Sequence, residues 1–324
     1  AGATLDLGGS FGITTITTTN AGNTVIYSGN SQAIKAISYE NLTINQTSGE
    51  ASLSGATIVN NVLDLSARNL NLSGNNLTLE ATATISVAAP SAAKMIIAGG
   101  GGEVRKIFTV DGSFIFPIGD NTGMLEYSPV TVNVTGSGYG GGAYIGASVT
   151  DSKHPDNASG THFITRYWEL SQSGITGPMA TVTASYLPSD INGVQANTGS
   201  AYLDGTFDQV SNPWVKSGEV LGANTLTYTG ASLGSGVNTF TGITTADPSI
   251  TIDNGATVAV CQDATVTLNT TLTGGDGAVS YSWGPVTDLS SSTDPDPVYT
   301  GTTPGGPYTY TVTVTDANGI TASD

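Results

Sequence analysis

One short repeated pattern limits this chain more than any other feature. Asn41-Leu42-Thr43-Ile44, Asn69-Leu70-Asn71-Leu72 and Asn76-Leu77-Thr78-Leu79 all place an apolar side chain at every second position. Leu63-Asp64-Leu65 and Ile85-Ser86-Val87 are variants of the same run. Alternation over three or four residues describes a half-buried strand too short to stand alone. The steps from Leu42 to Leu63 to Ile85 are roughly 21 to 22 residues, a period within the range of solenoid coils. This predicts a right-handed parallel β-helix over residues 1–97, with three short faces per triangular turn. The asparagines are expected at the corners, where they tolerate left-handed backbone and stack in ladders. A meandering sandwich with coincidental Asn-Leu repeats is the alternative.

The rest of the chain also reads as strand. Helix formers are scarce, no long stretch keeps a 3.6-residue period, and Thr, Val, Ile and Tyr alternate between clusters of Gly, Asn, Asp and Pro. The fold class is therefore all-β. Ala98-Gly99-Gly100-Gly101-Gly102 marks a flexible seam, after which residues 98–245 carry longer strands expected to form an antiparallel β-sandwich. Residues 246–324 make a shorter third unit with the strand spacing of an immunoglobulin-like or PKD-like sandwich. Trp283 is its expected core tryptophan, and Cys261 stands alone where antibody domains use a pair. Asn318-Gly319 is the favoured pair for a type I′ hairpin, and the return strand from Ile320 reads as cut short at Asp324. The polypeptide is accordingly expected to be a piece of a longer mature chain.

Charge narrows the partners. Eight Lys and Arg stand against 25 Asp and Glu, a net charge of −17. Nucleic acids and anionic membrane surfaces, which draw on clustered cations, are poor partners for it. No stretch has the ~18 apolar residues of a membrane span, so membrane insertion is not expected.

Catalytic signals are thin, and the chain is not expected to be an enzyme. His154 and His162, with Asp151 and Asp156, have no usual zinc-ligand spacing. Gly8-Gly9-Ser10-Phe11-Gly12 and Gly230-Ala231-Ser232-Leu233-Gly234 resemble a nucleophile elbow, but no helical pattern follows either. The acid pairs Asp294/Asp296 and Asp204/Asp208 sit in turn-forming contexts beside Pro or Gly. A polysaccharide lyase would need clustered cations, and residues 1–97 offer only Lys35, Arg68 and Lys94. No cofactor is expected. Calcium is the best metal candidate, because acids gather in the third unit, with Asp294, Asp296 and Asp316 as candidate ligands. Tyr139, set among glycines, and Trp214 are the candidate rings for a sugar platform.

Several runs resemble one family. Tyr27-Ser28-Gly29-Asn30-Ser31-Gln32-Ala33-Ile34, leading into Tyr39-Glu40-Asn41-Leu42, is similar to β-helical stretches of very large Bacteroidota-type surface proteins. Phe116-Pro117-Ile118-Gly119-Asp120, Tyr127-Ser128-Pro129-Val130 and Arg166-Tyr167-Trp168 resemble a sandwich module of the same proteins. Val260-Cys261-Gln262-Asp263, Tyr281-Ser282-Trp283 and Tyr308 to Asp316 resemble their PKD-like or immunoglobulin-like repeats. The resemblance implies an adhesin exported by the type IX secretion system, of the kind used in gliding motility. It implies an extracellular, outer-membrane-attached stalk or filament whose partners are surfaces, glycans or other cell-surface proteins. A carbohydrate-binding or polysaccharide-degrading surface module is the alternative.

Overall fold

The computed structural model describes residues 2–9, 16–255, 257–302 and 305–324. The chain is all-β, with 49% of it in strands, and its N-terminal part is a β-solenoid of about six turns. The solenoid stacks its strands in parallel on three faces. On one, Ser38-Tyr39, Ile58-Val59, Thr78-Leu79 and Arg105-Lys106 lie side by side. On the next, Leu5, Val25, Leu42, Leu63 and Ile85 stand in a single row. On the third, Ala51, Leu70, Ile96 and Ile118 do the same. The predicted period is therefore the register itself. Leu42, Leu63, Leu70, Ile96 and Ile118 have no solvent exposure, and each such side chain contributes about 1.5–3 kcal/mol through burial.

The corner between the first two faces falls inside one strand, Ser38–Ile44, where the register breaks between Tyr39 and Asn41. Asparagine bridges coils at such places. Asn41 Nδ2 donates to the Asn23 carbonyl (2.8 Å) and Asn61 Nδ2 to Asn41 Oδ1 (2.9 Å). An amide can donate and accept together, which suits a ladder of stacked coils. Left-handed backbone is used elsewhere than predicted: in these coils Ser31, Ser73, Ala89 and several glycines adopt it, and the bridging asparagines do not.

Parallel stacking does not stop at residue 97. Strand Val104–Ile107 adds to the first face and Ile118–Asp120 to the third. The glycine run at 99–102 turns a corner held at its ends, with Gly100 and Gly101 exposed between them. Ala98 and Gly102 are buried, and a Cβ on Gly102 would lie 2.4 Å from the Asn75 carbonyl oxygen.

Strand Val104–Ile107 also pairs antiparallel with Gly138–Thr150 on its other edge. The same sheet then continues through Tyr167–Thr176, Val237–Thr244, Thr198–Asp204 and Val215–Val220. One hydrogen-bonded sheet thus passes from the solenoid into the middle of the chain. A second antiparallel sheet, made of Gly112–Phe116, Val130–Thr135, Met179–Ser185 and Thr225–Ser232, contributes Phe116, Val132, Val182 and Leu226 to the core. Trp168, Leu170 and Phe240 of the shared sheet belong to that same core, which is continuous with the solenoid interior.

The described residues of 246–324 form four antiparallel strand pairings in three small sheets around a separate core of Ile250, Trp283, Val312 and Val314. Trp283 is buried as expected, and its Nε1 donates to the Asp294 carbonyl at 2.9 Å. Cys261 is free and exposed. The hairpin between Thr311–Thr315 and Thr321–Ser323 is present, but its turn is not the expected type I′. Only Gly319 has positive φ (81°), the Gly319 N–H donates to the Asp316 carbonyl, and the Asp316 N–H donates to the Ile320 carbonyl. That is the three-residue loop with a glycine bulge.

Candidate functional site

The densest charge in the described residues surrounds Arg166. Arg166 immediately precedes the strand Tyr167–Thr176 and is buried in step with Trp168 and Leu170, so the guanidinium enters the core. It is fully buried. Nε donates to Asp190 Oδ2 at 2.8 Å, NH1 to Asp120, and NH2 to Glu126 and to Asp151 Oδ1 (3.2 Å). Each acid arrives on a different element. Asp120 ends the last strand of the solenoid's third face, and Glu126 lies opposite it across a hairpin. Asp151 follows the long strand Gly138–Thr150, and Asp190 closes the 3-10 turn Pro188–Asp190. The node therefore ties the end of the solenoid to several elements of the middle region.

Four carboxylates face one guanidinium. Burial pulls the Arg166 pKa down, but the hydrogen bonds it donates to Asp190 and Asp120 more than reverse this and hold it above its ordinary value. For Glu126, burial raises the pKa, Arg166 opposes the rise, and the neighbouring acids Asp151, Asp190 and Asp120 add to it. Asp151 is raised in the same way, by burial first. Asp120, Glu126 and Asp151 each offer an oxygen within 4.8 Å of the others, the sole such metal-ligating group among the described residues. All three residues also bond to the Arg166 guanidinium, so a cation already occupies the centre they surround. Calcium needs six to eight oxygens around an open centre, and this arrangement does not present one. It is a clamp closed on its own cation.

A second buried polar node joins the middle region to residues 246–324. Asn318, in the hairpin turn, accepts from the Ala158 N–H at Oδ1 (2.8 Å) and donates through Nδ2 to Asp276 Oδ2 (2.9 Å). Ser159 Oγ donates to the same Asp276 oxygen (2.8 Å) and accepts from the Thr244 N–H (3.0 Å). The Trp214 N–H donates to the Asn318 carbonyl, and Gln209 Nε2 donates to the Asp316 carbonyl. Asn318, Asp316 and Ser159 have no solvent exposure. Burial raises the Asp276 pKa, and its bond from Ser159 works against that rise.

The candidate ligands lie in other settings than expected. The calcium candidates Asp294, Asp296 and Asp316 form no three-acid group among the described residues. Asp294 accepts from the Asp296 N–H and Asp296 from the Thr270 N–H. Asp316 accepts from the N–H groups of Asp276, Asn318 and Ile320. Their carboxylates are turn and joint fasteners. Trp214 is 1% exposed, with Nε1 donating to the Asp156 carbonyl, so its ring offers no face to a sugar. Tyr139 is half-buried against the core, and its hydroxyl donates to Asp111 Oδ1 at 2.7 Å. Burial, then the Asp111 bond, pushes the Tyr139 hydroxyl up to about 12. No stacked pair of exposed aromatics results.

The imidazoles stay apart in role. His154 packs edge-on between Tyr167 and Trp214, and burial lowers its pKa. His162 Nδ1 accepts from the Val194 N–H. Ser10 and Gly12 of the first Gly-x-Ser-x-Gly string lie outside the described residues, and the second string ends a strand with no helix after it. Both polar nodes escaped the sequence reading. Arg166 carried a usable signal, a cation on the inward parity of an otherwise apolar run; Asn318 carried none beyond its turn. Comparison with family models, with curated proteins and with solved structures finds no match to this chain.

Proposed function

We propose that the chain is a structural and adhesive segment of a large extracellular surface protein, a stalk or filament module with a part in gliding motility. On this reading the two antiparallel sheets of the middle region are a sandwich module, and residues 246–324 are an immunoglobulin- or PKD-like module. The observation that carries the reading is the single sheet running from Thr4–Leu7 to Val215–Val220 without a break in hydrogen bonding. A shared sheet links neighbouring parts through one continuous ladder of backbone hydrogen bonds. The buried joint at Asn318 extends that continuity to the third unit. The closed Arg166 node and the buried Trp214 also favour scaffolding over a glycan groove.

Single-molecule stretching between residues 2 and 324, paired with adhesion of beads coated with the protein, tests the proposal. The expected trace has one cooperative rupture for the solenoid and middle region together, and coated beads hold to surfaces that bare beads release. Coil-by-coil peeling at low force, or coated beads that behave as bare ones, would overturn it.

A further inference from the structure

Asn318-Gly319 combines two demands of the joint in one dipeptide. Gly319 has φ of 81° and lies close against the 209–213 loop. A Cβ on it would stand 2.3 Å from Pro213 Cβ and 2.6 Å from the Gln209 carbonyl oxygen, so only glycine fits. Asn318 accepts from the Ala158 N–H and donates to Asp276 Oδ2, which a carboxylate in its place could not do. Asparagine followed by glycine is also the pair most prone to lose its side-chain amide, because no side chain shields the next backbone nitrogen.

The chain holds two other such pairs, Asn192-Gly193 and Asn254-Gly255, in different settings. Asn192 is exposed. Asn254 is fastened within the third unit, Nδ2 donating to the Thr267 carbonyl and Oδ1 accepting from the Asn269 N–H, both at 2.7 Å. Asn318 differs from both, because its bonds to Ala158, Ser159 and Trp214 cross the joint. With the joint closed, the Gly319 N–H is engaged by the Asp316 carbonyl (2.9 Å) and both ends of the Asn318 amide are bonded. Attack requires these bonds to break, and with Asn318 fully buried no water reaches the carbon.

We propose that Asn318 is a deamidation site gated by the joint, inert while residues 246–324 are docked and converted once the joint parts. The Gly319 nitrogen then attacks Asn318 Cγ, the Cγ–Nδ2 bond breaks, and ammonia leaves with the proton from that nitrogen. Water opens the resulting cyclic imide at either carbonyl, giving aspartate or isoaspartate. Neither product donates to Asp276 as Nδ2 did, and each sets a new negative charge beside Asp276 and Asp316. The cations facing Asp276 are already engaged, Lys153 by the Ser159 carbonyl and Lys216 by Asp247. A reversible opening thus becomes a permanent one, whatever the chain adheres to.

The test ages the full chain at mildly alkaline pH and reads conversion at all three pairs by peptide mass mapping. In the parent, Asn318 is expected to convert at least tenfold more slowly than Asn192, as a site that reacts only when open. Ser159→Ala removes a donor to Asp276 and the acceptor of the Thr244 N–H without touching the dipeptide. It is expected to speed conversion at Asn318 by about tenfold, the effect of one lost buried hydrogen bond, while Asn192 and Asn254 keep their rates. Gln209→Ala, which frees the Asp316 carbonyl, is expected to act in the same direction. Equal rates at Asn318 and Asn192 in the parent, or no acceleration in either variant, overturn the proposal. So does acceleration at Asn254 in step with Asn318, since the third unit is then unfolding rather than undocking. Aged parent chains separated by charge complete the test. Those converted at Asn318 are expected to lose the 153–160 loop to protease faster than intact ones, and equal cleavage refutes the permanent opening.

Discussion

Arg166 Nε meets Asp190 Oδ2 at 2.8 Å with both side chains at or below 4% exposure, and the same Asp190 oxygen accepts from the Leu187 N–H. One carboxylate oxygen thereby fixes a strand and the turn beside it. Removing the cation strands four acids around a dry hole. Arg166→Met is expected to cost about 3–5 kcal/mol in urea denaturation, the usual result of breaking a buried pair from one side. Glu126→Gln and Asp151→Asn, which reduce the excess of acids, are expected to be neutral or stabilising.

The same two acids set a pH dependence. Their pKa values are raised in the folded chain from ordinary values of 4.5 and 3.8, so the fold holds their protons more tightly than the unfolded chain does. Their contribution to stability is full below those ordinary values and is lost as pH rises through them toward the raised ones. The stability of the Glu126→Gln, Asp151→Asn double variant relative to the parent is expected to grow from about pH 3 to about pH 7. A flat difference over that range would show that the two carboxyls titrate alike folded and unfolded.

Asn318→Ala leaves the Ala158 N–H and an Asp276 oxygen short of a buried partner, at a cost of about 1–3 kcal/mol. Limited proteolysis of the 153–160 loop reads the result: cleavage is expected to accelerate while the circular dichroism of the solenoid stays unchanged. Asn318→Asp, which sets a new charge beside Asp276 and Asp316, is expected to open the joint further.

In the solenoid, Leu63→Ala is expected to cost about 2–5 kcal/mol, because Leu63 sits in the row between Leu42 and Ile85 with no exposure. Thr43→Ala, on the outward parity of the same face, should stay within about 0.5 kcal/mol. Comparable losses at both positions in chemical denaturation would contradict the assigned faces.

Trp214→Ala and Tyr139→Ala separate scaffold from sugar platform. Trp214→Ala is expected to lower stability by about 3–5 kcal/mol, as loss of a buried indole does. A glycan array on which either folded variant loses a signal the parent shows would restore the platform reading.

Local pattern is enough to read the solenoid, since spacing alone puts Leu42, Leu63 and Ile85 one coil apart and they stand in one row. Period-two alternation survives in sequence because each coil repeats the same burial. Where the reading failed, tertiary context decided. The run at 99–102 reads as a linker because glycine is common in linkers and in tight corners alike, and only the approach of the Asn75 backbone to Gly102 shows that its end is held. Asp294, Asp296 and Asp316 are close in composition but answer to different N–H groups in different turns. Trp214 looked like a surface ring until the Asp156 carbonyl and the His154 imidazole closed over it. The Arg166 node draws on residues from 120 to 190, a separation that no local window spans.

Strand Val104–Ile107 belongs to two architectures at once, parallel to its predecessor and antiparallel to its successor. A protein engineer cutting the polypeptide before it would expose the raw flank of Leu77–Leu79 on the released fragment, inviting end-to-end polymerisation. The solenoid and the region after it are therefore best kept as one piece when the polypeptide is divided.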